Sequence, residues 1–339
     1  MTRSPIPGPT PGPTPDGTIV ATRDPGAALD ARRRTTTDGR TAIGPVAHLA
    51  EERRRLLALE WQHFDARLLA ATLGAEIAGV DLTVELPEPV IAELRTALHE
   101  YKVIFFRDQP ITPAQHVSFA RRFGELEVHP FIPPNPEHPE LVRFEKSAEV
   151  AGYENAWHHD VTWRECPSLG AVLHAIAVPQ VGGDTLFADM IAAYEGLPDE
   201  VRASLDVLDA VHDFMRAFAG QVPAERRAAM RDQYPLVTHP VVASHAATGR
   251  KHLYVNRVFT DHIVPDAAAG VADAGAASAL LDRLCRQAET VEYQCRFRWE
   301  PNSVAFWDNR AVQHYAASDY WPEVRIMERA SIVGARPTR

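Results

Sequence analysis

The stretch "WHHDVTW" at positions 157–163 places two histidines directly before an aspartate. In an extended strand the side chains alternate between two faces, which puts His158 and Asp160 on one face and His159 on the other. An imidazole and a carboxylate two residues apart can bind one metal ion together. This spacing alone is a weak signal, because the chain has 15 histidines and repeats the pattern as "HFD" at positions 63–65. A third ligand is therefore needed.

The stretch "FWDNRAVQHYAASDY" supplies that third ligand as His314, just after the strand-like run "SVAFWDN". Two histidines and one carboxylate that leave three coordination positions open form the facial arrangement of non-haem Fe(II) sites. Such a site has room for a chelating co-substrate and for O₂. Zinc hydrolases also mix histidine and carboxylate ligands, so His158, Asp160 and His314 do not by themselves select the metal.

The segment "VRIMERASIV" has two arginines on one predicted strand face. A period of two places Arg325, Met327 and Arg329 together, and it places Ile326 and Glu328 on the opposite face. If 2-oxoglutarate is the co-substrate, its far carboxylate needs a cation, ideally an arginine that binds both oxygens. Two arginines on an inward face are costly unless they bind anions. The alternative is that this face is exposed to water.

Several segments have the pattern of the elements that must position these residues. "PEPVIAELRTALHEY" has helical spacing, and Thr112 followed by Pro113 predicts a second helix that Gly124 ends. A third helix is predicted to begin at Asp189. Strands are predicted at "KVIFFRDQ", "LGAVLHAIAV", "DTLFA", "RKHLYVNRVF", "VEYQCRFRWE", "SVAFWDN" and "RIMERASIV". This order predicts a mainly β fold with flanking helices (α+β), as a β-sandwich or jelly roll.

The chain divides into a tail and one large domain. Six of the first fifteen residues are proline, and residues 1–46 are predicted to be a disordered Pro/Gly-rich tail. Residues 47–60 could form a short helix. Residues 61–339 are predicted to be the catalytic domain, with a helical insertion at 199–251.

Composition excludes several classes of function. The formal net charge of −10 disfavours binding to nucleic acid or to an anionic membrane surface. No apolar run approaches the roughly 18 residues of a membrane span, and no signal peptide is recognisable. Cys166, Cys285 and Cys295 are widely spaced, which argues against a disulfide framework or structural zinc. We therefore expect a cytoplasmic protein whose partner is a small molecule.

The chain resembles the Fe(II)/2-oxoglutarate-dependent taurine dioxygenase family. The resemblance extends over roughly 64–334 and is carried, in the family's order, by the segments "FGELEVHP", "WHHDVTW", "GGDTLFADMIAAYEGL", "HDF", "HPVV", "LYVNRVFT", "RFRWEPNSVAFWDNRAVQHYAASDY" and "RIMERASIVG". It implies a double-stranded β-helix (jelly roll, cupin-like core), with O₂ as the oxidant and 2-oxoglutarate as the co-substrate. It also allows a homodimer or tetramer, both of which are common in the family.

The resemblance also implies roles for the residues that match the family's cofactor site. His158, Asp160 and His314 would hold Fe(II). Thr185 and Arg325 would bind the far carboxylate of 2-oxoglutarate. Related halogenases lack the carboxylate at the position of Asp160, so this chain is expected to oxygenate its substrate.

The residues that match the family's substrate site imply a small anionic substrate. His129 and Arg329 would bind the anionic head with help from the backbone of Val161, and Phe259 would pack against the substrate. Taurine-specific enzymes have Tyr and Asn where this chain has Ile132 and Glu154. Ile132 favours a more apolar substrate tail, whereas Glu154 would meet an amine or hydroxyl, or face water.

The implied activity is hydroxylation of a sulfonate, such as a taurine-like compound, or of an alkyl sulfate ester, with succinate and CO₂ as co-products. A tailoring oxygenase that acts on a carboxylated amino acid or a phosphorylated metabolite such as a nucleotide is the alternative, because His129 and Arg329 would accept those anions as well.

Overall fold

The computed structural model describes residues 46–130, 132, 134–150, 156–220 and 222–339. The predicted disordered tail lies outside these ranges except for its last residue, and so does Glu154. Among the described residues, no helix is both long and apolar enough to cross a membrane.

The described residues form eight α-helices and fifteen strands, numbered here in chain order. The helices are α1 Val46–Leu57, α2 Glu88–Tyr101, α3 Pro113–Arg121, α4 Met190–Glu195, α5 Asp199–Leu205, α6 Met215–Phe218, α7 Arg227–Gln233 and α8 Ala274–Cys285. The strands are β1 Asp65–Leu68, β2 Ala75–Ala78, β3 Val103–Phe106, β4 Leu141–Lys146, β5 Gly170–Ala177, β6 Thr185–Asp189, β7 Asp209–His212, β8 Val237–Pro240, β9 Val242–Ser244, β10 Lys251–Leu253, β11 Thr260–Ile263, β12 Gln294–Phe297, β13 Val304–Asp308, β14 Val312–Ala316 and β15 Arg325–Ile332.

The helix starts follow the predicted capping chemistry. Thr112 Oγ1 accepts a hydrogen bond from the Gln115 backbone N–H, and the Gln115 side chain accepts one from the Thr112 N–H, which satisfies two amides at the start of α3. Asp189 caps α4 by accepting from two backbone amides. The helix predicted to run to Gly124 ends at Arg121 instead.

A seven-stranded sheet in the order β1-β2-β3-β13-β5-β15-β4 packs against a three-stranded sheet in the order β12-β6-β14. Alternating residues of β5 contribute to the contact between the two sheets. Ala171, Leu173 and Ala175 belong to the apolar layer that separates them. Phe105 of the large sheet stacks on Phe297 of the small sheet with ring centroids 4.0 Å apart. The two sheets therefore enclose a common core.

The opposite face of the large sheet is covered by helices. Val172 of β5 and Phe306 of β13 point to this side and belong to one apolar cluster with Ile91 and Leu94 of α2 and Phe119 of α3. The architecture is thus a mixture of helices and strands in which strands predominate around the site.

Two local predictions were incomplete. The segment predicted as a helical insertion, 199–251, contains α5, α6 and α7, but it also contains β7, β8 and β9. These strands are only three or four residues long, which is too short for an alternating pattern to stand out. The predicted helix at 47–60 corresponds to α1, which spans Val46–Leu57.

Candidate metal centre and adjoining cavities

The segment "WHHDVTW" is not a strand, contrary to the sequence prediction. His158 forms a single antiparallel bridge with His314 of β14, in which the His158 N–H donates to the His314 carbonyl at 3.2 Å and the reverse bond measures 2.9 Å. The bridge brings the two imidazole rings to within 4.2 Å of each other, measured between centroids. Two segments that are far apart in the chain thereby meet at one point.

Asp160 lies at the same point, directly before the left-handed residue of a tight turn over positions 160–163. Val161 has φ of 47°, a left-handed conformation that β-branched residues rarely adopt. Asp160 Oδ1 lies 3.8 Å from His158 Nε2, and Oδ2 lies 4.0 Å from His314 Nε2. One donor atom from each of the three residues lies within 4.8 Å of the others. This donor set can hold one metal ion, as the sequence predicted. The prediction assumed a strand, whereas the structure has a single bridge at His158.

The protonation states also fit a metal site. The His158 Nδ1 atom lies 2.8 Å from the Ala156 carbonyl, so the ring proton is placed on Nδ1 and the lone pair of Nε2 is available to a metal. Burial, with a smaller contribution from His158, lowers the pKa of His314 to about 3. Burial alone would raise the pKa of Asp160, but the adjacent Arg329 guanidinium outweighs it and holds the pKa below its usual range. His314 is therefore a neutral imidazole and Asp160 an ionised carboxylate, both of which suit a metal ligand.

Asn309 fixes the turn that carries Asp160. Its Oδ1 accepts from the Asp160 N–H at 2.6 Å, and its Nδ2 donates to the Asp160 and Ser168 carbonyls, both at 3.0 Å. Asn309 is completely buried. The sequence analysis missed this role, although the polar pair "DN" at the end of the apolar strand β13 was a signal that could have been used.

A first cavity lies beside the metal ligands and contains the residues expected to hold 2-oxoglutarate. Thr185, Arg325, Met327 and Arg329 line it together with His158 and His314. The predicted shared face of β15 is thus confirmed, and it points inward. Glu328 lies on the opposite face, where it accepts hydrogen bonds from Asn135 and Arg143.

Arg325 is held in this cavity by the turn before β6. Its Nε donates to the Gly183 carbonyl at 3.1 Å, and Gly183 has φ of 71°. A Cβ atom at Gly183 would lie 3.2 Å from Arg325 Cδ. Lys146 also lines the cavity and is the register partner of Arg325 on β4. The sequence analysis missed Lys146. The available signal was a lysine at the end of the strand "LVRFEK", and the structure shows that this lysine is buried.

A second cavity adjoins the first and contains the residues expected to bind the substrate. His129, Ile132, Val161, Phe259 and Arg329 all line it. The remaining wall is apolar and consists of Phe144, Ala156, Ala217, Phe218 and Val258, apart from the metal ligands His158 and Asp160. Phe218 comes from α6, within the segment for which the sequence gave no functional role. Glu154 lies outside the described residues, so its predicted role stays a prediction.

Arg329 lies at the junction, because it lines both cavities. Its Nη1 donates to both oxygens of Asp160, at 3.0 and 2.9 Å, and its guanidinium lies 5.0 Å from the centroid of the Phe144 ring. The buried Nε makes no hydrogen bond to any described residue. The Arg329 side chain therefore places a positive charge beside both cavities.

His129 faces the second cavity as a neutral imidazole. Burial is the largest cause that lowers its pKa to about 3, followed by the positive charges of Arg329 and Arg164. Its Nδ1 accepts a hydrogen bond from the Ile132 N–H at 3.1 Å, which places the ring proton on Nε2. His129 can therefore bind an anion by donating a hydrogen bond and not as a cation.

His159 is neither exposed nor among the grouped ligands. It is completely buried, and its ring lies 4.9 Å from the ring of Tyr254. Its alternation away from His158 and Asp160 agrees with the prediction, but the side chain enters the core instead of facing solvent.

Comparison with known proteins places these residues in a wider context. The family model described as Taurine catabolism dioxygenase TauD, TfdA family matches residues 65–331. An alpha-ketoglutarate-dependent sulfate ester dioxygenase from Pseudomonas putida is 33% identical over 282 residues, which cover 80% of this chain and 90% of that protein.

Two crystal structures are similar to this fold. A taurine dioxygenase from Burkholderia xenovorans is 34% identical with a TM-score of 0.70, covering 82% of this chain and 91% of that one. AAD-2 in complex with Mn(II) and N-oxalylglycine is 27% identical with a TM-score of 0.70, covering 82% of this chain and all of that one. The similarity therefore extends over nearly the whole length of each of these proteins.

Proposed function

The chain belongs to the taurine catabolism dioxygenase TauD, TfdA family, and on that premise we propose that its substrate is an alkyl sulfate ester or a small sulfonate. It is a dioxygenase that depends on Fe(II), 2-oxoglutarate and O₂. We further propose that residues 61–339 form the catalytic domain around a double-stranded β-helix, a cupin-like jelly roll. The two packed sheets support this topology.

His158, Asp160 and His314 would hold the iron, because two imidazoles and one carboxylate form the donor set of such sites. When bound, Fe(II) supplies the redox chemistry by which O₂ and 2-oxoglutarate oxidise a C–H bond. Thr185 and Arg325 would hold the far carboxylate of 2-oxoglutarate in the first cavity. These residues orient the co-substrate, since the protein's contribution to such chemistry is binding and geometry.

The observation that carries the substrate class is the composition of the second cavity. Arg329 and His129 offer hydrogen-bond donors to an anion, with the Val161 backbone beside them, whereas Ile132, Phe218 and Phe259 form an apolar wall. A substrate with one anionic head and an apolar remainder matches both parts. Ile132, which stands where taurine-specific enzymes have Tyr, lines this cavity and favours an apolar substrate tail.

The products follow from where oxygen is inserted. Hydroxylation of the carbon that bears a sulfate group gives an adduct that breaks its C–O bond and releases sulfate and an aldehyde. The corresponding sulfonate adduct breaks its C–S bond and releases sulfite and an aldehyde. In both cases 2-oxoglutarate is converted to succinate and CO₂.

Succinate formation across a panel of anions tests this proposal. Purified protein with Fe(II) and 2-oxoglutarate is incubated in air with alkyl sulfates, alkyl sulfonates, taurine, amino acids and nucleotides. We expect the greatest substrate-dependent succinate formation with alkyl sulfates or sulfonates, and sulfate or sulfite release in equal amount. Turnover of amino acids or nucleotides alone would instead support the alternative of a tailoring oxygenase.

Light scattering on the same sample tests whether the protein is a dimer or a tetramer, the two states that the family resemblance allows.

A further inference from the structure

A buried tryptophan lies directly behind the proposed 2-oxoglutarate carboxylate site. Trp299 Nε1 donates a hydrogen bond of 2.9 Å to Thr185 Oγ1, and the two residues are only 4% and 3% exposed. We propose that Trp299 is a positioning residue for 2-oxoglutarate, because it orients the Thr185 hydroxyl so that its proton is donated to the far carboxylate. This inference rests on the proposed function, in which Thr185 and Arg325 bind that carboxylate.

The donor and acceptor properties of the three groups fix the direction of the hydrogen bonds. The indole N–H can only donate, a carboxylate can only accept, and a hydroxyl has one proton to donate and can accept as well. Thr185 therefore accepts from Trp299 and keeps its proton for another acceptor. Thr185 also lines the cavity that contains Arg325. A relay from indole to hydroxyl to carboxylate is the arrangement that satisfies all three groups, and neighbouring hydrogen bonds in such a chain strengthen one another.

The surroundings of Trp299 hold the indole in a fixed orientation. Phe297, two residues earlier, is the register partner of Thr185 in the β12–β6 pair. The Trp299 ring packs edge-on against Phe297, with centroids 5.0 Å apart and an interplanar angle of 88°. Phe297 is itself stacked between the Phe105 ring, at 4.0 Å, and the Arg107 guanidinium, at 4.1 Å.

Because this packing fixes the indole, the hydrogen bond from Trp299 can hold the Thr185 hydroxyl in one orientation before the co-substrate binds. A hydroxyl that is already oriented loses less conformational freedom when the ligand binds, which increases affinity without any added contact. Residues that hold a binding group in place from behind are a regular feature of precise sites. By its apolar spacing with Phe297, Trp299 looks like an ordinary core residue in the sequence, and only the structure shows that its N–H is used.

Binding of N-oxalylglycine to the Mn(II)-loaded protein tests the inference without turnover. Trp299→Phe keeps an aromatic ring and removes the N–H donor, and Thr185→Val removes the hydroxyl. By calorimetry we expect each substitution to weaken N-oxalylglycine binding about threefold to tenfold, the loss typical of one neutral hydrogen bond. The double variant should be no weaker than Thr185→Val alone, because both changes break the same relay. In Trp299→Phe the KM for 2-oxoglutarate should rise in parallel, while kcat and the affinity for Mn(II) stay unchanged.

Trp61→Phe is the matched control. Trp61 Nε1 donates to the Tyr101 hydroxyl at 3.0 Å, away from both cavities, so losing that bond should leave N-oxalylglycine binding unchanged. A second variant places 3-benzothienylalanine at position 299, where sulfur replaces the N–H and the ring shape is retained. Because this variant removes the N–H donor but keeps the size of the ring, it should weaken N-oxalylglycine binding through loss of the hydrogen bond and not through poor packing.

Four outcomes decide between these possibilities. Unchanged N-oxalylglycine affinity in both position-299 variants would overturn the inference, as would fully additive losses in the double variant. Tight, Trp299-dependent binding without any sulfate or sulfite release would support the inference and contradict the proposed substrate. A wild-type protein that binds Mn(II) but no N-oxalylglycine would overturn both.

Discussion

Arg329 contacts two parts of the site at once, a proposed metal ligand and the proposed substrate cavity. It donates to both oxygens of Asp160 and also lines the cavity proposed for the substrate anion. A single guanidinium therefore contacts a proposed metal ligand and offers the cation that an anionic substrate needs. Its removal should affect substrate and metal in different ways.

Arg329→Met should lower kcat/KM for the best substrate by about tenfold to a hundredfold, the range expected for losing a hydrogen bond to a charged group. Affinity for Mn(II) should not fall, since Arg329 competes with a metal for Asp160. Steady-state kinetics and Mn(II) titration measure the two effects. Arg336→Met is the control, because Arg336 pairs with Glu165 on the surface and its loss should change neither quantity. Unchanged kcat/KM in Arg329→Met would remove the proposed anion site.

Asn309 differs from Arg329, because its substitution should lower the affinity for the metal. Its three hydrogen bonds hold both peptide groups of Asp160 and the Ser168 carbonyl. Asn309→Ala should weaken Mn(II) binding about tenfold to a hundredfold, the usual cost of losing a group that orients a ligand. Asn135→Ala removes a side-chain amide that binds Glu328 on the other face of β15, and it should leave Mn(II) binding intact. Equal Mn(II) affinity in both variants would contradict the role of Asn309.

At the scale of elements, the site depends on how turns join the strands. The turn before β6 contains Gly183 with φ of 71°, and its carbonyl accepts from Arg325 Nε on β15. Strand β15 belongs to the large sheet and β6 to the small one. The turn therefore couples the two sheets at the proposed 2-oxoglutarate site.

Gly183→Ala should raise the KM for 2-oxoglutarate several-fold, because the new Cβ would lie 3.2 Å from Arg325 Cδ and displace that side chain. Gly249→Ala is a closely matched control, since Gly249 has φ of 70° and its Cβ would meet nothing within 4 Å. Both variants should lose about 1 kcal/mol of stability from the left-handed backbone. Thermal unfolding and kinetics separate the effects, and a raised KM in both variants would show that backbone strain, not contact with Arg325, is responsible.

At the scale of the whole molecule, a buried ionic network connects α1 to the catalytic domain. Glu52 of α1 pairs with Lys102 at 3.4 Å and with Arg250 at 2.6 Å, and Lys102 also pairs with Asp189 at 3.1 Å. Burial raises the pKa of Glu52, but Arg55, Lys102 and Arg250 outweigh it and bring the pKa to about 2. The network thus joins segments that are up to 198 positions apart in the chain.

Glu52→Gln should lower the free energy of unfolding by about 3 kcal/mol near pH 7. The pKa is about 2 when folded and has an ordinary value of 4.5, so the stabilisation is complete above pH 4.5 and is lost as the pH falls towards 2. Urea unfolding of wild type and variant from pH 8 to pH 3 should show a difference that stays constant above pH 5 and shrinks below it. Glu51→Gln, an exposed neighbour on α1, should show almost no difference. A difference that does not change with pH would mean that the Glu52 charge is not responsible.

The sequence alone identified the candidate metal ligands and the inward face of β15, because these depend on residue types and spacing. His158, Asp160 and His314 were identified from their types and are grouped in the structure. The inward face of β15 followed from its period of two, and the starts of α3 and α4 followed from N-capping residues that act over a few positions. Such signals are local, so they can be recognised without knowing the fold.

Tertiary structure alone decided how those side chains meet. Asp160 precedes a turn with a left-handed residue at Val161, and Asn309, which directly follows the distant strand β13, holds its backbone. No local pattern predicts those bonds. The same is true of Lys146 beside Arg325, of Phe218 in the second cavity, and of the Trp299 N–H behind Thr185. A side chain's neighbours across two packed sheets depend on register and turn geometry, which the periodicity of a single segment does not contain.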